Sequence, residues 1–341
     1  MNYAQKSFLI TGGTGSFGHA FVRYLLKHTE ARRIVIYSRD EYKQFVMQQE
    51  FPNDLHRLRF FIGDIRDEQR LSRALYGVDY VIHAAAMKQV PACEYNPIEA
   101  VNTNIVGATN LINAALDNDN IKKVIALSTD KAVNPINLYG GTKLVSDKLF
   151  TAANSYGGGR NARFSLVRYG NVAGSRGSVI PFFKQIMNEG AASLPLTDER
   201  MTRFWMTLDK SVSLVMIALK RSKGGETFVY KNPSFYITDL IEAISPTGAY
   251  HTTGIREGEK IHECMITTSD SLKTYEYDDY YVIYPNYDWW NYETGAICKS
   301  GKKVIAGWEY TSDKNNWWLS VDDLRKLIAK VNKENGVYSL R

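Results

Sequence analysis

The tetrad Ser128-Thr129-Asp130-Lys131 is followed eight residues later by Tyr139-Gly140-Gly141-Thr142-Lys143. Tyr139 and Lys143 are four apart, so a helix places them on one face. A cation beside a phenol favours phenolate, and phenolate takes a proton from a hydroxyl as hydride leaves the same carbon. Asp130 and Lys131 add a second acid/base pair. A simple alcohol oxidation needs only one pair, and the surplus is the functional clue.

Those residues need a scaffold. The apolar run Lys123-Val124-Ile125-Ala126-Leu127 predicts a buried strand whose C-terminal end releases the tetrad, where open α/β sheets place ligands. Further strands are expected at Ser7 to Thr11, Ile34 to Tyr37, Leu58 to Ile62, Tyr80 to His83 and Arg163 to Tyr169. Helical spacing separates them, which gives a parallel, doubly wound α/β sheet of Rossmann type. Gly12, Gly15 and Gly18 sit between the first strand and its helix, with Thr14, Ser16 and Phe17 between them. Such a turn lets a pyrophosphate approach the backbone and offers it the helix N-terminus. No Lys-Ser/Thr follows Gly18, so a Walker loop is excluded.

The second strand runs into Ser38-Arg39-Asp40. A Ser-Arg pair suits a ribose 2′-phosphate and so favours NADP, while Asp40 keeps NAD open. Asp64 is placed to accept a hydrogen bond from adenine, and Asp67 to cap a helix. Ala84, Ala85 and Ala86 are small enough for a cofactor to pass. His83 reads as a core histidine at a strand end. For Lys88, ligand contact and plain solvation are equally open.

The 341 residues carry a formal net charge of +6 without a basic block, which argues against nucleic acid. Cys93, Cys264 and Cys298 form no C-x-x-C pair, so a disulfide framework and a zinc site are not expected. No signal peptide or membrane span is read, and the cytoplasm is the expected compartment. Residues 1–170 are read as the cofactor domain. Residues 171–341 are read as a smaller α/β substrate lobe, with some crossover of the chain. In that lobe Arg203 and Arg256, both taken as loop residues, are candidate phosphate clamps. The Tyr- and Trp-rich stretch from Thr274 to Trp318 reads as lobe packing or a subunit contact. Ser320 and Asp323 form a capping box for a helix from Val321 to Val331.

The glycine turn, Ala84-Ala85-Ala86 and Tyr139-x-x-x-Lys143 together resemble the extended short-chain dehydrogenase/reductases. Within them the chain resembles the inverting UDP-N-acetylglucosamine 4,6-dehydratases that open pseudaminic acid synthesis. Segments from Leu9 to about residue 270 carry the likeness, and Asp130-Lys131 is its specific part. Retaining sugar dehydratases are expected to have Asp-Glu there, and simple epimerases neither pair. A capsule-forming branch replaces the tyrosine, which is present here as Tyr139.

The resemblance implies a tightly held NADP, with Lys43, Ile65 and Thr103 joining the contacts above. UDP-N-acetylglucosamine is the implied substrate. Lys88, Thr129, Lys131, Asn171, Val179, Thr197, Met201, Arg203, Arg256 and Glu259 are its implied contacts, with Thr129 on the sugar O4. Tyr139 and Lys143 would serve C4 oxidation. A neutral Lys131, its pKa pulled down by Lys143 and burial, would take the C5 proton, and Asp130 would protonate the leaving C6 hydroxyl. No metal is implied. A homo-oligomer built on dimers is expected, with a hexamer open. The rival readings are a 4-epimerase, a C5-retaining dehydratase and a non-catalytic NADP sensor.

Overall fold

The computed structural model describes residues 3–156, 161–174, 178–245, 247–285, 287 and 300–336. Its centre is a parallel sheet of β1 (Ser7–Thr11), β2 (Arg33–Ser38), β3 (Leu58–Ile62), β4 (Tyr80–His83), β5 (Lys123–Thr129) and β6 (Arg163–Tyr169). In space they run β3-β2-β1-β4-β5-β6. All five β1 residues are buried, as expected for a strand covered on both faces. The order reverses between β1 and β4, and that reversal opens a crevice at the strands' C-terminal ends. The sequence predicts β5 only to Leu127. The strand continues through Thr129 because Ser128 and Thr129 pair with Arg168 and Tyr169.

Later segments return to this sheet. Thr227–Tyr230 pairs in parallel with β6, and Tyr280–Ile283, Thr274–Glu276 and Lys302–Lys303 extend it antiparallel. Successive β1 side chains face opposite layers. Phe8 and Ile10 join helices Ser16–His28 and Leu208–Arg221, while Leu9 joins Glu68–Ala74, Gly107–Leu116 and Leu138–Tyr156. A separate apolar cluster gathers Ile180, Phe183, Met201, Trp205, Leu240 and Leu324 from the second half.

Local chemistry sets the element ends. The Asp40 and Asp67 carboxylates cap helices by accepting from the Lys43 and Arg70 amides, each at 2.9 Å. Ser320 and Asp323 make the expected reciprocal box, and the last helix runs Val321–Gly336. Among the described aromatics, Tyr281, Trp308 and Tyr310 pack together and Trp318 stacks on Tyr236. Trp289, Trp290 and Cys298 lie outside the described residues. No described helix is long and apolar enough to cross a membrane, and no metal-ligating cluster occurs among the described residues.

Candidate active site

Directly after β5 the chain makes one tight turn, Asp130–Ala132, and the helix Leu138–Tyr156 begins six residues later. Asn137 caps that helix by accepting the Gly140 amide at 2.8 Å, and its own amide donates to the Gly258 carbonyl at 2.7 Å. A Cβ on Gly140 would lie 2.1 Å from the Lys131 carbonyl oxygen. Only glycine therefore lets the tyrosine helix settle against the Asp130–Lys131 turn. The two acid/base pairs are brought together by this packing.

At the turn, the Thr129 hydroxyl donates to Asp130 Oδ1 at 2.7 Å. Lys131 Nζ lies 3.2 Å from the same oxygen and 3.5 Å from Asn171 Oδ1. Burial raises the Asp130 pKa, but Lys131 and the Thr129 hydroxyl outweigh it and hold the acid below the usual range. Burial likewise favours a neutral Lys131. Here Asp130 and Glu263 outweigh it and hold the ammonium above the usual lysine range. The expected depression of Lys131 is thus reversed. Asp130 is the larger cause, and a second carboxylate, Glu263, that the local sequence did not advertise adds to it.

Tyr139 is buried, and burial pushes its phenol up to about 12. Lys131 and the Thr129 hydroxyl work against that rise. Among these influences the cation is Lys131. Lys143 faces buried Asp147, one turn further along the helix. Burial pushes both toward neutrality, lowering the lysine and raising the acid. Ser128 Oγ holds Asp147 at 2.5 Å. His83 is buried, bonds Thr11 at 2.8 Å and is driven down to about 3 by burial and Lys143, which is the state of a core histidine.

A cleft of about 810 Å³ joins this chemistry to the glycine turn. Gly12, Thr14, Gly15, Ser16, Phe17, Gly18, Ser38, Arg39, Asp40, Lys43, Ile65, Ala84, Ala85, Ala86, Lys88 and Thr103 line it, as do Thr129, Lys131, Tyr139 and Lys143. Asp64 is not on its wall. Arg66 clamps that carboxylate at 3.0 and 2.7 Å and Arg39 stands 3.5 Å away. Asp40 is occupied by its capping bond and by Lys43. The Thr103 hydroxyl is buried in the wall without a hydrogen-bond partner. An unpartnered buried hydroxyl beside a glycine turn fits an extended polar ligand such as a dinucleotide.

Of the substrate candidates, Lys88, Thr129, Lys131 and Asn171 line the cleft. Val179, Thr197, Met201, Arg203, Arg256 and Glu259 do not. Met201 is a core residue. Arg203 is a buried strand residue, not a loop clamp. It donates to the carbonyls of Thr202, Ile261 and Lys260 at 2.8 to 3.0 Å and faces Glu259 and Glu263. Sequence reasoning missed Asp147, Tyr169 and Glu263. Asp147 was findable, four residues past Lys143 on one helix face. Tyr169 ends β6 and lines the cleft beside Tyr139.

A doubly wound sheet with a glycine turn, and a Tyr139–Lys143 helix beside its crevice, define an extended short-chain dehydrogenase/reductase. Residues 8–285 match the polysaccharide biosynthesis protein family, and the chain belongs to it. It is 51% identical over 330 residues to UDP-N-acetylglucosamine 4,6-dehydratase (inverting) of Campylobacter jejuni, covering 96% of this chain and 98% of that protein. UDP-glucose 4-epimerase of Rickettsia canadensis is 39% identical, covering 97% of each. The X-ray structure of Pen from Bacillus thuringiensis superposes with a TM-score of 0.87 at 38% identity, covering 97% of this chain and all of that one. At 20% identity, dTDP-glucose 4,6-dehydratase DesIV of Streptomyces venezuelae, solved with NAD and TYD bound, shares the fold with a TM-score of 0.67, covering 97% and 98%.

Proposed function

We propose that this chain is a C5-inverting UDP-N-acetylglucosamine 4,6-dehydratase, a hydro-lyase. The observation that carries the reading is the meeting of Tyr139, Thr129 and Lys131 on one wall of a dinucleotide-sized cleft, with Asp130 buried behind that wall 3.2 Å from Lys131. The near full-length likeness to the Campylobacter enzyme supports it. NADP is the favoured cofactor, since Arg39 faces the cleft while Asp40 is spent on its helix cap. When bound, it would take hydride from sugar C4 and return it to C6, and a solvent-derived proton entering C5 on the face opposite the one it left would complete the inverted product.

The protein's own groups supply the proton movements. Tyr139 accepts the C4 hydroxyl proton, and Thr129 steadies O4 by a hydrogen bond. A 4-ketone makes the C5 proton acidic. The Lys131 ammonium first hands a proton to Asp130 across the 3.2 Å contact, giving a neutral amine beside a neutral acid. The amine then takes the C5 proton. Asp130 gives its proton to the C6 hydroxyl, which leaves as water. Both groups end in the charge state in which they began.

The product feeds pseudaminic acid synthesis in the cytoplasm, and the working form is a homo-oligomer built from dimers. The division at residue 170 belongs to the same proposal, with 208–230, 274–283 and 302–303 returning to the first domain. A second reading, 4-epimerisation, draws on the Rickettsia relative. Proton NMR of UDP-N-acetylglucosamine with the purified protein in D₂O decides. The dehydratase gives a 6-deoxy-4-keto sugar of L-arabino configuration with deuterium at C5. An undeuterated UDP-N-acetylgalactosamine overturns the proposal, and so does absence of turnover.

A further inference from the structure

The carboxylate nearest the Asp130–Lys131 pair comes from far along the chain. Glu263 is 4% exposed, although carboxylates are rarely buried without a role or a partner. Its Oε1 lies 3.6 Å from Lys131 Nζ and 3.5 Å from Arg203 Nε, while Oε2 is buried without a hydrogen bond. Ser312 fixes the position, since its hydroxyl accepts the Glu263 amide at 2.9 Å and its amide donates to the Glu263 carbonyl at 2.8 Å. Arg203 is pinned in turn by its three carbonyl contacts. The carboxylate is therefore held against Lys131 by a rigid mount.

We propose that Glu263 is a positioning residue for the Asp130–Lys131 pair, fixing which of the two carries their shared proton. The idea rests on the dehydratase reading for its meaning, though not for its test. An ionised Glu263 favours the ammonium on Lys131. A protonated Glu263 releases that hold, and the proton passes to Asp130 with no change in total charge. Burial and the facing Asp130 raise the Glu263 pKa above the usual range, against Lys131, Arg203 and Lys260, which pull it down. The other charged or titratable groups around Lys131 are Tyr139, Lys88 and Arg203, and Lys260 also faces Glu263. None of these is a second buried carboxylate on Lys131.

The test reads the Lys131 proton directly, without turnover. Trace acetic anhydride labels neutral amines, and mass spectrometry of the Lys131 peptide reports its reactivity. Lys43, at the other end of the cleft, serves as the internal standard. Removing one nearby opposite charge shifts a lysine by about 1–3 pH units, so at about pH 9 Glu263→Gln should raise Lys131 labelling roughly 10-fold or more. Glu263→Asp, which keeps the charge on a shorter arm, should restore most of the wild-type value. Unchanged labelling in folded Glu263→Gln overturns the proposal. If that variant does not fold, wild-type labelling equal to that of Lys43 overturns it instead, because Lys131 would then carry no excess hold on its proton. Failure of the NMR turnover assay with normal labelling shifts would sink the dehydratase reading alone.

Discussion

Replacing Lys131 by alanine should cost more stability than a cleft lysine suggests, and the cost should depend on pH. Lys131 is the ammonium that stands between the Asp130 and Glu263 carboxylates, which are 1% and 4% exposed. Removing one partner of a buried ion pair typically costs about 3–5 kcal/mol, because the remaining charge is stranded. In the wild type the Asp130 pKa lies below its unfolded value. Its contribution is therefore present above the unfolded pKa and lost as pH falls through the folded one. In Lys131→Ala the main lowering influence is gone, and burial is left to push Asp130 up. Acid then relieves the variant by protonating Asp130. Urea unfolding at about pH 8 should show the full 3–5 kcal/mol gap, and at about pH 5 the gap should shrink by roughly 1.4 kcal/mol per unit of lost shift. A variant as stable as wild type at the higher pH, or a gap that widens with acid, would refute the electrostatic account of this cluster.

Three further outcomes are expected. Gly18→Ala puts a Cβ 2.1 Å from the Gly13 carbonyl oxygen, backbone that has nowhere to move. It should lose about 1–3 kcal/mol in thermal unfolding and lose dinucleotide binding by calorimetry. Arg39→Ala should weaken NADP binding by about 10- to 100-fold and leave NAD nearly untouched, the worth of a charge-assisted phosphate contact. Tyr139→Phe should lower turnover by about 10²–10⁴-fold at every pH while nucleotide binding persists, since it removes the proton acceptor and little else.

Local patterns revealed the frame of the site and hid its electrostatics. The strands around the crevice are continuous apolar runs, and the glycine turn and the Tyr139–Lys143 spacing depend only on neighbours in sequence. Asp40 was ambiguous, because one carboxylate can cap a helix or bind a ribose, and only the Lys43 bonds distinguish the two. Arg203 looked like an exposed clamp until pairing of Thr202–Phe204 with Ser234–Tyr236 buried it. Glu263 carried no signal at all. It reaches Lys131 because the neighbouring strand Cys264–Ile266 pairs with Tyr310–Thr311 and Ser312 grips its backbone. Part of the rise at Lys131 comes from that contact between segments far apart in sequence, and no window along the chain contains it.

The central claim is that an amine removes the C5 hydrogen after C4 has been oxidised. Its most direct test is a single turnover of Lys131→Ala with UDP-N-acetylglucosamine, following the near-ultraviolet absorbance of reduced nicotinamide and the C5 and C6 proton signals together. The account predicts that reduced cofactor accumulates while C5 keeps its hydrogen and no water is lost. A 6-deoxy product formed at the wild-type rate would contradict it.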